Sequence, residues 1–304
     1  MLHAGGRRLE DLRELRGEQE VLRELGLEAV PDAGTVGDWL RRQGEVGAEA
    51  MQQANQKLIS ACLEQEPEEV ILDVDATEIE AEKQEAEWTY HHVQGYMAML
   101  GYVNGACVGY EFREGNQSPG AGILEFAQRC EGALPKGKKI YFRSDSAAYQ
   151  AAVINPYSQP GRRFTITADQ DAAVKREIQH LPETAWVPYG TQDGMATDRE
   201  MAETVHSMNA TEQAFRLILW RWPNPQPHLF ESNSYCYHAV ATNRTEPARE
   251  VVWEHNGRGQ SENWHKELKL GMGMEVAAAT RVGSSRPTRC TSPWGCWRIT
   301  WPHC

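Results

Sequence analysis

Between Glu69 and Leu181 the chain switches repeatedly between strand and helix periodicity, and that order restricts the possible folds more than any single residue does. "EVILDVDATEI" is β-branched and apolar with acids at alternate positions, the pattern of a buried strand. "GYMAMLGYVNGACVGYEFREGN" places two strand-like runs around Asn104-Gly105, a hairpin signal because both residue types accept positive φ. "GAGILEFAQRCEGAL" has helical spacing, "KKIYFRSDSAAYQAAV" reads as a strand ending near Asp145 and then a helix, and "RRFTITADQDAAVKREIQHL" repeats strand then helix. Strand, hairpin, helix, strand, helix, strand predicts an α/β fold in which a mixed sheet is flanked by helices.

The segments on either side have a different character. Residues 1–66 read as a helical N-terminal region: "RRLEDLRELRGEQEVLRELG" carries leucines at 9, 12, 15, 22 and 25, and Thr35 is the expected N-cap of a second helix. The chain opens inside this helical pattern, so the region is expected to be truncated. Residues 67–182 form the first part of the core. Residues 183–253 break its rhythm with Pro, Gly and aromatics, as in "LILWRWPNPQPHLF" and "SYCYHAVATN", and are expected to be a β-rich insertion. Within it Trp220 and Trp222 suit either a packed core or a surface that stacks on an unpaired base. Residues 254–274 resume helical spacing, and residues 275–304 have no periodicity.

Composition narrows the function classes. No run of about twenty apolar residues occurs, and the amino terminus lacks a basic stretch followed by an apolar one, so no membrane span or signal peptide is expected and the default compartment is the cytoplasm. Seven cysteines without a CxxC pair predict reduced thiols rather than a zinc knuckle or a disulfide framework. A net charge of −12 counts against tight nucleic-acid binding by the chain as a whole, so any DNA site must be a local cationic patch.

The carboxylates carry the chemistry. In "ILDVDAT" the period of two puts Asp73 and Asp75 on one face of a strand, opposite Leu72 and Val74. A carboxylate inside an apolar strand is costly unless it is paired or coordinates a cation; a strand end reaching solvent is the alternative. Asp145 stands at the carboxyl end of another strand, where open sheets gather ligand-binding groups, and it suits a helix N-cap equally well. In "HNGRGQSENWHKELK" steps of four and seven return to one helix face, so Arg258, Glu262 and Lys269 are expected to form a single polar stripe, either a solvated ion-pair face or a site. Oxygen ligands of this kind suit Mg²⁺ or Mn²⁺.

"DVDAT", "RSDSAAY" and "GRGQSENWHKELK" together resemble the three acid-bearing segments of the DDE transposases of bacterial insertion sequences. The last resembles the family pattern Y-x2-R-x3-E-x6-K, here His255, Arg258, Glu262 and Lys269, with histidine in place of tyrosine. "LDVDAT", "EFREGN", "AGILEF" and "ENWHKELKL" are most similar to insertion-sequence family 1380, over about Gly5 to Met274. The resemblance implies a ribonuclease-H-like core with a β-rich insertion before the last catalytic helix. It implies Asp75, Asp145 and Glu262 as the catalytic, metal-holding triad. Asp75 is preferred over Asp73 because the family's first acid stands two residues before a threonine, here Thr77. Arg258, Lys269 and His255 would contact DNA phosphates. Two Mg²⁺ ions, with Mn²⁺ as substitute, would serve phosphoryl transfer, one activating water or a DNA 3′-hydroxyl and the other stabilising the leaving oxygen. The implied partners are transposon-end and target DNA and a second copy of the chain in a synaptic homodimer; no membrane partner is implied.

The tail "EVAAATRVGSSRPTRCTSPWGCWRITWPHC" fits no zinc spacing. With allowed codons chosen from Ser285 onward, reading from the third base yields AANALYFALGVLAYNLA, an apolar helix of the sort the family carries after its glutamate helix. A frameshift between about codons 275 and 285 is therefore expected. The function expected from the whole sequence is a DDE-type transposase that cleaves and joins DNA at the ends of its own element, impaired by truncation and frameshift. Its rivals are a catalytically inactive DNA-binding or oligomerising remnant that inhibits intact transposase, and a ribonuclease-H-like nuclease of other purpose.

Overall fold

The computed structural model describes residues 9–81, 86–225 and 234–271, so the expected frameshifted tail lies outside the described residues. In chain order the elements are α1 (Leu12–Gly17), α2 (Gln19–Glu24), α3 (Ala33–Leu63), β1 (Glu69–Glu80), β2 (Glu87–Trp88), β3 (Gln94–Val103), β4 (Ala106–Glu114), α4 (Ile123–Glu131), β5 (Lys139–Ser144), α5 (Ala151–Tyr157), β6 (Arg163–Thr167), α6 (Ala172–His180), β7 (Val187–Gly190), β8 (Ala196–His206), β9 (Phe215–Pro223), β10 (Tyr235–Thr242), α7 (Ala248–Asn256) and α8 (Gly259–Lys266), followed by a π-helical turn over Glu267–Gly271. The expected class is borne out: strands and helices alternate from β1 onward, and both parallel and antiparallel pairs occur. The chain divides into two compact units, one from Met1–Glu66, Asp75–Lys136 and Ser261–Cys304, the other from Pro67–Val74 and Gly137–Gln260.

In the first unit Leu12, Leu15, Leu22 and Val30 close into a small cluster, as their helical spacing predicts. Leu25, the last of that series, is 52% exposed. The cap of α3 is Asp32 rather than Thr35: its carboxylate accepts from the Thr35 backbone N–H at 2.9 Å and from the Thr35 hydroxyl at 2.8 Å. An aspartate three residues upstream reaches the free N–H groups of the first turn, and the threonine becomes its partner. Within α3, Gly44 takes φ 52° and ψ −148°, a break that the left-handed freedom of glycine permits.

The expected hairpin forms with Asn104 and Gly105 both at positive φ. Gly101 and Gly109 face each other across β3 and β4, and a Cβ on either would approach the Cys130 Sγ of α4 to 2.6 or 2.5 Å. This glycine pair therefore sets how closely α4 lies on the hairpin. Tyr96, Leu100, Tyr102, Tyr110, Phe112 and Leu268 build the core of this unit. Cys107, Cys130 and Cys236 are free thiols.

In the second unit β1 pairs in parallel with β5 from Glu69↔Lys139 to Val74↔Ser144, and β5 pairs in parallel with β6. Both faces of these strands are covered, so Leu72, Val74, Phe142, Phe164 and Ile166 are fully buried. Residues 183–253 hold β7 to β10 and extend the same sheet, because β10 pairs antiparallel with β6 through Val240↔Thr167. Trp220 is buried and Trp222 partly buried against Met201, Ile218, Val240, Val251 and Val252, so both tryptophans contribute to the core. Arg221 lies between the rings of Trp186 and Tyr235, at 4.4 and 4.1 Å, and pairs with Glu183 and Glu200.

Candidate active site

The predicted single helix over residues 254–274 is interrupted. α7 ends at Asn256, Gly257 donates back to the Trp253 and Glu254 carbonyls, and Arg258 occupies the turn before α8 begins at Gly259. A Cβ at Gly257 would come within 2.8 Å of Arg143 Nη1 and 3.0 Å of the Glu254 carbonyl, so any larger residue there would have to displace the Arg143 guanidinium. Arg258 consequently stands in a turn and not on the helix face expected to carry Glu262 and Lys269. The stripe that runs from α8 into the π-helical turn is instead Glu262, Lys266 and Lys269, at steps of four and three. The adjoining face anchors the helix in the first unit: Leu268 is fully buried, His265 is 6% exposed, and the Trp264 ring centroid is 5.1 Å from that of Tyr102. The π-helical turn beginning at Glu267 widens the backbone where Lys269 sits, a local deviation often found at functional positions.

In the first unit, a cleft of about 430 Å³ is lined by Asp75, Thr77, Glu262, His265, Lys266 and Lys269. The structure thus brings together three of the residues singled out from sequence, namely Asp75, Glu262 and Lys269. His265 and Lys266 were missed. The signal for both was present in "ENWHKELK", since they lie three and four residues after Glu262 and so within a turn of it. His265 Nδ1 approaches Asp75 Oδ2 at 3.7 Å, and its ring centroid is 5.6 Å from that of Tyr102.

The second unit carries the other predicted residues. Asp73 receives a bidentate pair from Arg143, at 2.5 Å from Nε and 2.7 Å from Nη2, and the two residues face each other in the β1–β5 register. Burial pushes the Asp73 carboxyl above the usual carboxylate range against the pull of Arg143 and Arg258. Arg143 also donates to the Glu254 carbonyl, tying β5 to α7. Asp73 is therefore committed to a buried ion pair, which no spacing rule reveals because its partner is seventy residues away.

Asp145 follows Ser144 at the end of β5 and caps the 3-10 turn Ser146–Ala148, accepting from the Ala147 N–H at 3.0 Å. Of the two readings left open by sequence, the capping one is thus observed, and it leaves the second carboxylate oxygen to other use. Burial raises the affinity of Asp145 for a proton, the Ala147 N–H and Arg258 lower it, and the charge of Asp169 raises it again. Asp169, just past β6, was missed, although the strand-end rule that selected Asp145 applies to it equally.

His255 is 2% exposed, with Nε2 3.0 Å from Thr167 Oγ1. Its imidazole is held well below the ordinary range by burial, with further lowering by Arg258, His238 and Arg143. Since folding depresses this affinity, the unfolded chain binds the extra proton first as pH falls. Stability should therefore be full above about pH 6.5 and fall below it by up to about 1.4 kcal/mol per pH unit. Urea unfolding at stepwise pH checks this, and His255→Phe should flatten that limb.

The model of the family described as transposase DDE domain group 1 matches residues 1–284. The chain belongs to this family. A DDE transposase domain uses divalent metal, and the donors available here fit one in kind, since Asp75 and Glu262 present hard carboxylate oxygens to one cleft. Among the described residues no three His, Cys, Asp or Glu side chains are already grouped to hold an ion. The family implies DNA binding. No curated protein matches the chain. Among the described residues no helix is long and apolar enough to cross a membrane.

Proposed function

We propose that this DDE transposase cleaves DNA strands at the ends of an insertion element and joins them to target DNA, with Asp75, Asp145 and Glu262 as the carboxylates that would hold two Mg²⁺ or Mn²⁺ ions. The supporting observation is the parallel register. Its last β1–β5 pair is Val74↔Ser144, and the next residue along each strand is Asp75 and Asp145 respectively. The ribonuclease-H-like core, the kinship to insertion-sequence family 1380 and a synaptic homodimer belong to the same reading.

When bound, the ions supply Lewis-acid stabilisation of the phosphoryl oxygens and of the attacking and leaving oxygens. The chain's own groups do the rest. Asp75 and Glu262 set the negative pole of the cleft, and Lys266 and Lys269 on the same helix face offer ammonium groups to the phosphates on either side of the scissile one. Arg258 sits where its charge partly offsets the burial that disfavours ionisation of Asp73 and Asp145, and it would also receive a phosphate. His255, held by Thr167 inside the second unit, would contribute its phosphate contact only by exchanging that partner. Binding would position the substrate, and most of the rate would come from charge neutralisation.

The deciding experiment is incubation of the full chain with duplex DNA carrying the element's own end, in Mn²⁺, with resolution of nicked and joined products. Site-specific nicking at the end is expected. Cleavage of scrambled duplex at equal rate would instead indicate a nuclease of other purpose. One observation favours a second reading, an inactive remnant that inhibits intact transposase: the family match stops at residue 284, where the reading frame is inferred to change. It predicts end binding without product, and sequencing of the locus should show the family wording in the other frame.

A further inference from the structure

Strands β8 to β10 run past the carboxyl ends of the parallel strands. The last β10–β6 rung is Val240↔Thr167, beyond it Ala168 donates to the Ala239 carbonyl at 2.8 Å, and Gln170 donates to the Tyr237 carbonyl at 2.6 Å. His238 and the start of β10 therefore project beyond the edge where β5 ends at Ser144 and Asp145 follows.

On this projection His238 pairs with Trp220, Cys236 with Trp222, and Met201 with Trp220, so these side chains share one sheet face. α7 covers part of that face, packing Val251 and Val252 on Ile218, Trp220 and Val240. Farther along, the face carries a guanidinium and an imidazole on an aromatic floor. The Arg199 guanidinium lies 5.4 Å from the Trp222 ring centroid, and the His238 ring centroid is 4.3 Å from that of Trp220. Arg199 is exposed, and among the described residues it meets no carboxylate.

We propose that Arg199, seated on Trp222, and His238 extend the Arg258 position into a track that binds consecutive phosphates of a DNA strand along the projecting ends of β8 and β10. Burial, joined by the charges of Arg258 and Arg199, holds the His238 imidazole below its ordinary range, so beside the Arg199 guanidinium it would meet a phosphate as a neutral N–H donor. A guanidinium within about 6 Å of a tryptophan ring centroid is attracted to the ring face, which restricts its motion while its outer N–H groups stay available to a phosphate. A strand backbone supplies anions at regular spacing, as a single small anion does not.

This inference rests on the transposase reading of the Asp145 edge, and its test separates the two. The full chain is titrated with duplex carrying the element's end at several salt concentrations, by fluorescence anisotropy. Arg199→Ala is expected to weaken binding about tenfold and to lower the slope of log K against log salt by about one, the signature of one lost phosphate contact. His238→Gln is expected to weaken it less. Arg162→Ala, whose guanidinium lies over Tyr157, should change neither quantity. Arg199→Gln substitutes if the alanine variant aggregates. Wild-type affinity and slope in both Arg199 variants, alongside a loss in Arg258→Ala, would overturn the track and leave the transposase reading standing. Failure of the unmodified chain to bind end duplex would overturn both, and equal weakening by Arg162→Ala would reduce the effect to overall charge.

Discussion

Glu262→Gln is expected to reduce metal-dependent cleavage of end-containing DNA by about 10²- to 10³-fold while leaving end binding within about twofold of the unmodified chain. The amide keeps the shape of the side chain but removes the charge a divalent ion requires. Glu262 is exposed on the cleft side of α8, so the substitution should cost no more than about 0.5 kcal/mol of stability. A structural role would show the reverse, lowered stability with cleavage intact. Cleavage at the unmodified rate in this variant would remove Glu262 from the proposed triad. Asp75→Asn, in the same cleft, should reproduce the phenotype, because the two carboxylates are proposed to act as a unit.

Asp73→Asn is expected to behave oppositely, with stability falling by about 3–5 kcal/mol, because Arg143 would be left as an uncompensated charge at 6% exposure. A domain has about 5–15 kcal/mol in total, so the variant should approach unfolding at ordinary temperature. Burial already makes ionisation of Asp73 unfavourable in place, so the pair is costly to keep and more costly to break. The double variant Asp73→Asn with Arg143→Met should therefore recover most of the loss, although the Glu254 carbonyl forfeits a donor. Urea unfolding of the two single variants and the double closes the cycle. An unchanged midpoint in Asp73→Asn together with lost cleavage would transfer the ligand role from Asp75 to Asp73.

Asp73 and Asp75 show where sequence reading reaches its limit. Period two placed them on one face of β1, and nothing in "ILDVDAT" separates an ion-pair partner from a cleft carboxylate. Resemblance to the family selected Asp75, and the structure supplies the physical reason that Asp73 is otherwise engaged: Arg143 stands opposite it in a parallel neighbour. The glutamate helix shows the same limit. Helical spacing linked Arg258, Glu262 and Lys269, but Gly257 ends α7 beneath Arg143, so Arg258 falls in the turn and Lys266 takes its place in the stripe. A helix boundary of this kind depends on a contact with a distant strand.

By itself the sequence determined the alternation of strands and helices from Glu69 to His180, the Asn104-Gly105 hairpin and the positions of the acids at strand ends. Each of these follows from local periodicity, turn stereochemistry or chain order. Only the tertiary structure decided that Asp73 belongs to Arg143, that His265 and Lys266 join Asp75 and Glu262 around one cleft, and that β8 to β10 extend the sheet and carry Arg199 and His238 past its edge. These facts depend on which strands become neighbours and in what register. Long-range pairing sets both, and local propensity carries no record of it.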